Sequence, residues 1–124
     1  MITVLVADDH SIVREGVRRL IEGESDIKLC GEAADGREVL EQVEKQRPDV
    51  VILDIRMAGM DGIEALQRIL DMDNTIPVIL NTAYSSFREN YLSWSADAYI
   101  TKSSDTTELL VKVKELLDAK MVEN

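Results

Sequence analysis

The sequence is poor in the features that define several classes of protein. It has one cysteine, Cys30, so no disulfide can form within the chain and nothing argues for an oxidising compartment. No apolar run approaches the roughly 20 residues that span a bilayer, and the N-terminal residues lack the basic segment of a secretory signal. We therefore expect a cytoplasmic protein that does not insert into membranes.

Basic residues are also scarce relative to acidic ones. The chain has 14 lysines and arginines against 24 aspartates and glutamates, a net charge of −10. A surface with this charge repels phosphate backbones, so direct binding to DNA or RNA is not expected. The excess acid either serves solubility alone or gathers in part at a cation site, and the positions of the acids decide between the two.

What the sequence does contain is a regular change of hydrophobic period, over a length and composition typical of one globular domain. Short apolar runs predict five strands, at 2–7, 27–34, 50–53, 77–81 and 97–100. Apolar stripes at helical spacing predict five intervening or following helices, and these stripes begin at Val13, Val39, Ile63, Phe87 and Leu109. Three of the helices are predicted to begin at aspartate N-caps, each followed three residues later by glutamate: Asp35, Asp61 and Asp105. This alternation predicts an α/β fold with a parallel sheet covered on both faces, and we expect a single domain over 1–124 with no output domain.

Polar residues follow four of the predicted strands. Asp8 and Asp9 follow the first strand, Asp54 the third, Thr82 the fourth and Lys102 the fifth. In an open parallel sheet, ligands bind outside the carboxyl ends of the strands, where the strand order reverses. If the first and third strands are neighbours, three carboxylates converge there and repel one another unless a cation is bound. Mg²⁺ is the expected ion, because it prefers oxygen ligands and accepts phosphate oxygens into its shell.

Asp54 is the predicted reactive residue. A carboxylate can attack phosphorus to give an acyl phosphate, and it needs no general base to do so. Lys102 can neutralise charge on the transferred group, and the Thr82 hydroxyl can donate a hydrogen bond to it. Taken singly these residues are weak evidence, because an aspartate after a strand is more often a turn or a helix cap. The prediction depends on their joint placement at the ends of four strands.

The residues at the strand ends resemble those of the receiver domains of two-component response regulators, including chemotaxis response regulators. The segments that carry the resemblance are Asp8-Asp9, 51–62 around Asp54, Thr82-Ala83 and 99–102. The likeness covers essentially the whole chain. It implies a flavodoxin-like, doubly wound (βα)5 fold whose five-stranded parallel sheet has the order 2-1-3-4-5.

The resemblance also implies a role for each site residue. Asp54 would accept a phosphoryl group from a histidine kinase or a phosphotransfer protein, and the chain would be a signalling switch rather than a turnover enzyme. Asp8, Asp9, Asp54 and the backbone carbonyl of Arg56 would bind Mg²⁺, and Lys102 would contact the phosphoryl group.

The same resemblance implies how the switch is read. Thr82 and Tyr99 would report phosphorylation to the surface of the predicted fourth helix, fifth strand and fifth helix. A second copy of the chain or a downstream protein would bind that surface.

The sequence departs from the family pattern in three ways. Ser103 stands where proline usually follows the lysine, and a non-proline cis bond costs about 3 kcal/mol, so the loop after Lys102 is either trans and differently aimed or strained. Ala58 replaces a common proline and removes a φ restraint. Arg56 and Tyr84 are both large, and we hypothesise that they shield the acyl phosphate from water.

Other interpretations stay open at this point. Arginine is frequent up to Arg68 and occurs once afterwards, so a recombined or engineered hybrid of two receiver subfamilies is an alternative, as is a degenerate receiver that acts as a scaffold. A phosphohydrolase with an aspartyl nucleophile fits less well, because Arg56 occupies the place of a second acid–base carboxylate and no insertion forms a lid. A flavodoxin-like cofactor binder would need a Ser/Thr/Gly-rich phosphate loop after the first strand.

Four further features are interpreted as structural before any functional role is considered. His10 is interpreted as loop or first-helix structure, because Mg²⁺ prefers oxygen, and Cys30 as a small core residue. Gly59 and Gly62 are predicted to supply turn geometry after the third strand. The aromatic stripe that begins at Phe87 is either core or a partner surface.

Overall fold

In a computed structural model of the chain, the structure describes residues 2–57, 61–82, 96–101 and 107–123. Within these ranges the elements follow in the order β1 (Ile2–Ala7), α1 (Ser11–Glu22), β2 (Ile27–Ala33), α2 (Gly36–Gln46), β3 (Val50–Leu53), α3 (Gly62–Met72), β4 (Val78–Thr82), β5 (Ala98–Thr101) and α4 (Thr107–Glu123). The predicted helix that carries Phe87, Tyr91 and Trp94 lies outside the described residues. The helix named α4 here is therefore the fifth helix of the sequence prediction.

The five strands form one parallel sheet in the order β2-β1-β3-β4-β5. This confirms the predicted α/β class and strand order. In the register, Ala7 lies opposite Leu53 and Leu53 opposite Leu80. The carboxyl ends of β1, β3 and β4 therefore lie side by side at one edge of the sheet, as the site prediction requires.

Each face of the sheet is covered by helices, and successive side chains along a strand point to opposite faces. Val51 and Leu53 of β3 pack in the core beneath α2 and α3. Val50 and Ile52 pack in the core beneath α1 and α4. All four side chains of β3 are buried, which explains why the strand is purely aliphatic.

Five strand limits differ from the prediction by one residue. β2 ends at Ala33, β4 at Thr82 and β5 at Thr101, and the starts of β4 and β5 shift for a physical reason. β4 begins at Val78 rather than Pro77, since proline has no N–H, although the Pro77 carbonyl still accepts from the N–H of Val51 at 3.0 Å. β5 begins at Ala98 rather than Asp97, because the Asp97 carboxylate accepts from the N–H of Val78 at 2.8 Å. Asp97 is thus an end cap for the neighbouring strand.

Two of the three predicted aspartate N-caps are confirmed. The side chain of Asp35 accepts from the N–H of Glu38 at 2.8 Å, and that of Asp61 from the N–H of Glu64 at 2.9 Å. The third, Asp105, lies outside the described residues. No helix in the described part of the chain has both the length and the apolar character to cross a membrane.

Cys30 lies in β2, next to a shift in register between Val4 and Leu5 of β1. Its side chain is half-buried and packs against the core, as predicted. Burial raises the pKa of the thiol above its ordinary value, while a backbone hydrogen bond opposes the rise. This thiol is therefore less ionised at neutral pH than an exposed one.

Candidate functional site

Asp8 and Asp54 meet because they are the next residues on two paired strands. The N–H of Asp54 donates to the carbonyl of Ala7 at 3.0 Å, and the N–H of Asp8 donates to the carbonyl of Ala33 at 3.0 Å. Both acids are buried, with 2% of Asp8 and 4% of Asp54 exposed. Two buried carboxylates side by side repel each other strongly unless positive charge lies nearby.

The acidic cluster, defined as Asp8, Asp9, His10 and Asp54, gathers four side chains at this edge of the sheet. One ligand atom from each lies within 4.8 Å of the others. The three carboxylates predicted to converge therefore do so. Their oxygens form the kind of donor set that Mg²⁺ prefers.

His10 is the N-cap of α1, which agrees with its interpretation as loop or first-helix structure. Its ring is also part of the cluster, which the sequence interpretation missed. Its Nδ1 lies 3.0 Å from Oδ1 of Asp8 and 2.8 Å from Oδ1 of Asp9. Its backbone N–H also donates to Oδ1 of Asp8 at 2.9 Å. The imidazole is 64% exposed, so it covers the cluster from the solvent side. Adjacency to the acidic pair was the only sequence signal for this position.

A second contact missed from sequence holds the backbone of the acidic pair. Nη1 of Arg14, in α1, donates to the carbonyl oxygen of Asp8 at 2.7 Å. Nε of the same arginine lies 3.4 Å from Oε1 of Glu32 in β2, and Nε of Arg18 lies 3.5 Å from Oε2 of Glu32. A charged network thus links α1 and β2 to the loop that follows β1.

Gly62 brings the start of α3 against the residues that follow β3. Its N–H donates to the carbonyl of Ile55 at 2.6 Å. A Cβ at this position would lie 2.0 Å from the carbonyl oxygen of Asp54 and 2.7 Å from Cα of Ile55. The glycine is therefore required for close approach of two backbones, and the predicted role in turn geometry is not the operative one.

The remaining predicted site residues divide into described and undescribed ones. Thr82 is fully buried at the end of β4, beside β3, and Tyr99 of β5 is 5% exposed and packs in the core beneath α2 and α3. Arg56 is exposed, two residues after Asp54. Lys102 lies outside the described residues, as do the departures at Ala58, Tyr84 and Ser103.

In a doubly wound parallel sheet, ligands bind at the carboxyl edge of the central strands, and in this chain that edge holds the buried Asp8 and Asp54. Residues 4–114 match the family model described as the response regulator receiver domain. The chain belongs to that family. Receiver domains are the signalling switches of two-component systems, and they receive their input from histidine kinases or phosphotransfer proteins.

Curated relatives support this assignment. An uncharacterized transcriptional regulatory protein of Bacillus subtilis, YhcZ, is 36% identical over 115 residues, which is 91% of this chain and 53% of the relative. The response regulator protein VraR of Staphylococcus saprophyticus is 31% identical over 92% of this chain and 56% of its own length. The chain therefore spans about half the length of these relatives. Each aligns across both halves of the chain, so the uneven distribution of arginine does not require a hybrid origin.

Solved structures show the same architecture. The response regulator TrrA of Thermotoga maritima, crystallised in complex with Mg²⁺ and BeF, is 38% identical, with a TM-score of 0.84 over 94% of this chain and 99% of that one. A CheY-like receiver domain protein of Methanospirillum hungatei has a TM-score of 0.89 at 28% identity, over 100% of this chain and 99% of that one. The flavodoxin-like receiver fold is therefore established for this chain.

Proposed function

We propose that residues 1–124 form one phospho-accepting receiver domain in which Asp54 takes a phosphoryl group from a histidine kinase or a phosphotransfer protein. The observation that carries the proposal is the buried Asp54 carboxylate, which lies beside Asp8 within the acidic cluster at the carboxyl edge of the sheet. The solved TrrA complex with Mg²⁺ and BeF supports it, because that protein has the same fold at 38% identity.

The acidic cluster fits Mg²⁺ by the chemistry of its donors. Asp8, Asp9 and Asp54 supply carboxylate oxygens that lie close enough together to share one ion, and we propose the backbone carbonyl of Arg56 as a further ligand. When bound, Mg²⁺ would neutralise charge on these carboxylates and on the incoming phosphoryl oxygens.

The proposed transfer places a carboxylate oxygen of Asp54 in line with the phosphorus of a phosphohistidine. The new O–P bond forms as the N–P bond breaks, and the electron pair of that bond returns to the imidazole nitrogen of the donor, which then takes a proton from solvent. Asp54 becomes an acyl phosphate, with no general base required. The Thr82 hydroxyl would donate a hydrogen bond to the phosphoryl group, and Lys102 would offset its charge.

We propose that the phosphorylated state is read through Thr82 and Tyr99. Thr82 ends β4 and Tyr99 lies on the adjacent strand β5, opposite Leu80. A shift of Thr82 toward the phosphoryl group would change the space available to the buried Tyr99 ring. The surface formed by the predicted fourth helix, β5 and α4 would then differ between the two states, and a second copy or a downstream protein would bind one of them.

Incubation with acetyl phosphate and Mg²⁺, followed by intact mass measurement, tests this function. The proposal predicts one phosphoryl adduct on the wild type and none on Asp54→Ala or in excess EDTA. Continuous release of phosphate without an adduct would instead indicate a phosphohydrolase. The absence of both adduct and release would indicate a receiver fold that serves as a scaffold.

A further inference from the structure

We propose that Arg14 is a positioning residue for the Mg²⁺ site, because it fixes the peptide that joins Asp8 to Asp9. The inference rests on the proposed function, in which these two aspartates bind the ion. Arg14 lies outside the acidic cluster, and we infer that it affects Mg²⁺ binding through the backbone of Asp8 rather than by contact with the ion.

The hydrogen bond from Arg14 acts on the peptide group that joins the two aspartates, so it affects the orientation of both carboxylates. The Asp8 carbonyl belongs to the peptide plane between the two aspartates, and Nη1 of Arg14 donates to that oxygen at 2.7 Å. A peptide plane is rigid, so its orientation sets where the chain leaves Asp8 and where Asp9 begins. One hydrogen bond from α1 therefore constrains the relative direction of the two proposed ligands.

Arg14 is one of several partners that hold Asp8 from different sides. The Asp8 N–H donates to the Ala33 carbonyl at 3.0 Å, which fixes the residue to β2. The His10 N–H donates to Oδ1 of Asp8 at 2.9 Å, which orients the carboxylate. The bond from Arg14 acts on the Asp8 carbonyl group, and a substitution of Arg14 removes it from the peptide that follows Asp8.

The Arg14 residue is itself held in place by Glu32. Its side chain is 19% exposed, and Nε lies 3.4 Å from Oε1 of Glu32. A half-buried arginine held by a carboxylate presents its remaining donors in a fixed direction, and hydrogen bonds from charged donors are stronger than neutral ones. Glu32 also offsets the arginine charge, which would otherwise oppose the binding of a cation nearby.

Arg18 provides a matched control on the same helix. It is the same residue type, one turn further along α1, and it pairs with the same Glu32 at 3.5 Å. An Arg18→Gln variant removes an equal charge from the same network and leaves the bond from Arg14 to Asp8 in place. Any general effect of lost charge on Mg²⁺ affinity should therefore appear in both variants, and loss of peptide positioning only in Arg14→Gln.

The experiment is a titration with Mg²⁺ alone, by calorimetry, of wild type, Arg14→Gln, Arg14→Lys and Arg18→Gln, with urea unfolding of each in EDTA. We expect Arg14→Gln to weaken Mg²⁺ binding about tenfold, the scale seen when a residue that orients a metal ligand is removed. Arg18→Gln should stay within about twofold of wild type. Arg14→Lys keeps a cationic donor but cannot reach both partners, so its affinity should fall between wild type and Arg14→Gln.

The outcomes separate the inference from the proposed function. If the wild type binds Mg²⁺ and Arg14→Gln binds it as tightly, or if Arg14→Gln and Arg18→Gln weaken binding equally, the positioning role is wrong and the Mg²⁺ site stands. If the wild type itself does not bind Mg²⁺, both proposals are wrong. Should Arg14→Gln fail to fold, Arg14→Lys decides the matter. An Mg²⁺ affinity equal to that of the wild type in that variant would contradict the positioning role, since lysine cannot hold the Asp8 carbonyl and Glu32 together.

Discussion

Replacement of Gly62 by alanine adds a single carbon atom, and the structure predicts that it lowers the free energy of unfolding substantially. The new Cβ would lie 2.0 Å from the carbonyl oxygen of Asp54, 2.7 Å from Cα of Ile55 and 2.8 Å from the carbonyl carbon of Asp54. All three are backbone atoms, so no side chain can rotate away to relieve the contact. The start of α3 and the segment after β3 would have to separate by about 1 Å to reach the closest Cβ contacts normally seen.

The expected loss of stability follows from two opposing terms. Overpacking at a buried position costs roughly 1–3 kcal/mol, and we take about 3 because the contacts are with backbone. Alanine in place of glycine returns at most about 1 kcal/mol, because Gly62 is the first residue of α3 rather than an interior one. Gly62→Ala should therefore lower the free energy of unfolding by about 2 kcal/mol, the difference of these two terms. It should also weaken Mg²⁺ binding, because Asp54 moves with the strand end.

Gly16→Ala is the matched control for this prediction. Gly16 lies within α1. Beyond its chain neighbours and the backbone of its own helix, no atom of the described residues lies within 4 Å of an added Cβ, so only the helix and chain-entropy terms apply. The control should raise the free energy of unfolding by roughly 0.5–1 kcal/mol. Urea denaturation monitored by circular dichroism measures both variants. A Gly62→Ala protein as stable as Gly16→Ala would refute the reasoning, since it would mean that the backbone approach seen here is not maintained.

Three further predictions concern groups outside the acidic cluster. Asp61→Ala removes the cap on the Glu64 N–H and should cost about 1 kcal/mol of unfolding free energy in urea, while Asp61→Asn should cost much less. Desolvation raises the pKa of Asp97 above 3.8, so its protonation favours the folded state. The unfolding free energy of wild type relative to Asp97→Asn should then fall as pH rises through the raised pKa, and a rise with pH would contradict this. Cys30 should react with iodoacetamide more slowly in the folded protein than in urea, because burial raises its thiol pKa; equal rates would contradict it.

The fold was predictable because its signals are local. Each buried strand is a short apolar run, and the purely aliphatic Val50–Leu53 segment already indicates a central strand covered on both sides. The strand limits were less predictable, since they depend on pairing. Asp97 reads as the start of a strand in sequence, yet its carboxylate caps the neighbouring strand at Val78, a role that only the sheet order reveals.

The site was predictable only in part, because several of its contacts depend on how distant segments of the chain pack together. Asp8 and Asp54 could be placed together because parallel strands end at one edge, which is a property of topology alone. The contact of Arg14 with the Asp8 carbonyl depends on the reach and direction of a long side chain from α1, and Glu32 joins it from another strand. The need for glycine at position 62 depends on the distance between two backbone segments, which no spacing of residues in the sequence expresses.

The central claim is that Asp54 is the residue that accepts the phosphoryl group. Borohydride reduction tests it most directly, because it converts an acyl phosphate to the corresponding alcohol at the modified residue and leaves free carboxylates unchanged. After treatment with acetyl phosphate and Mg²⁺, peptide mass mapping should find homoserine at position 54, and none when Mg²⁺ is removed with EDTA. Reduction at Asp8 or Asp9 instead, or at no aspartate while phosphoryl transfer proceeds, would contradict the account.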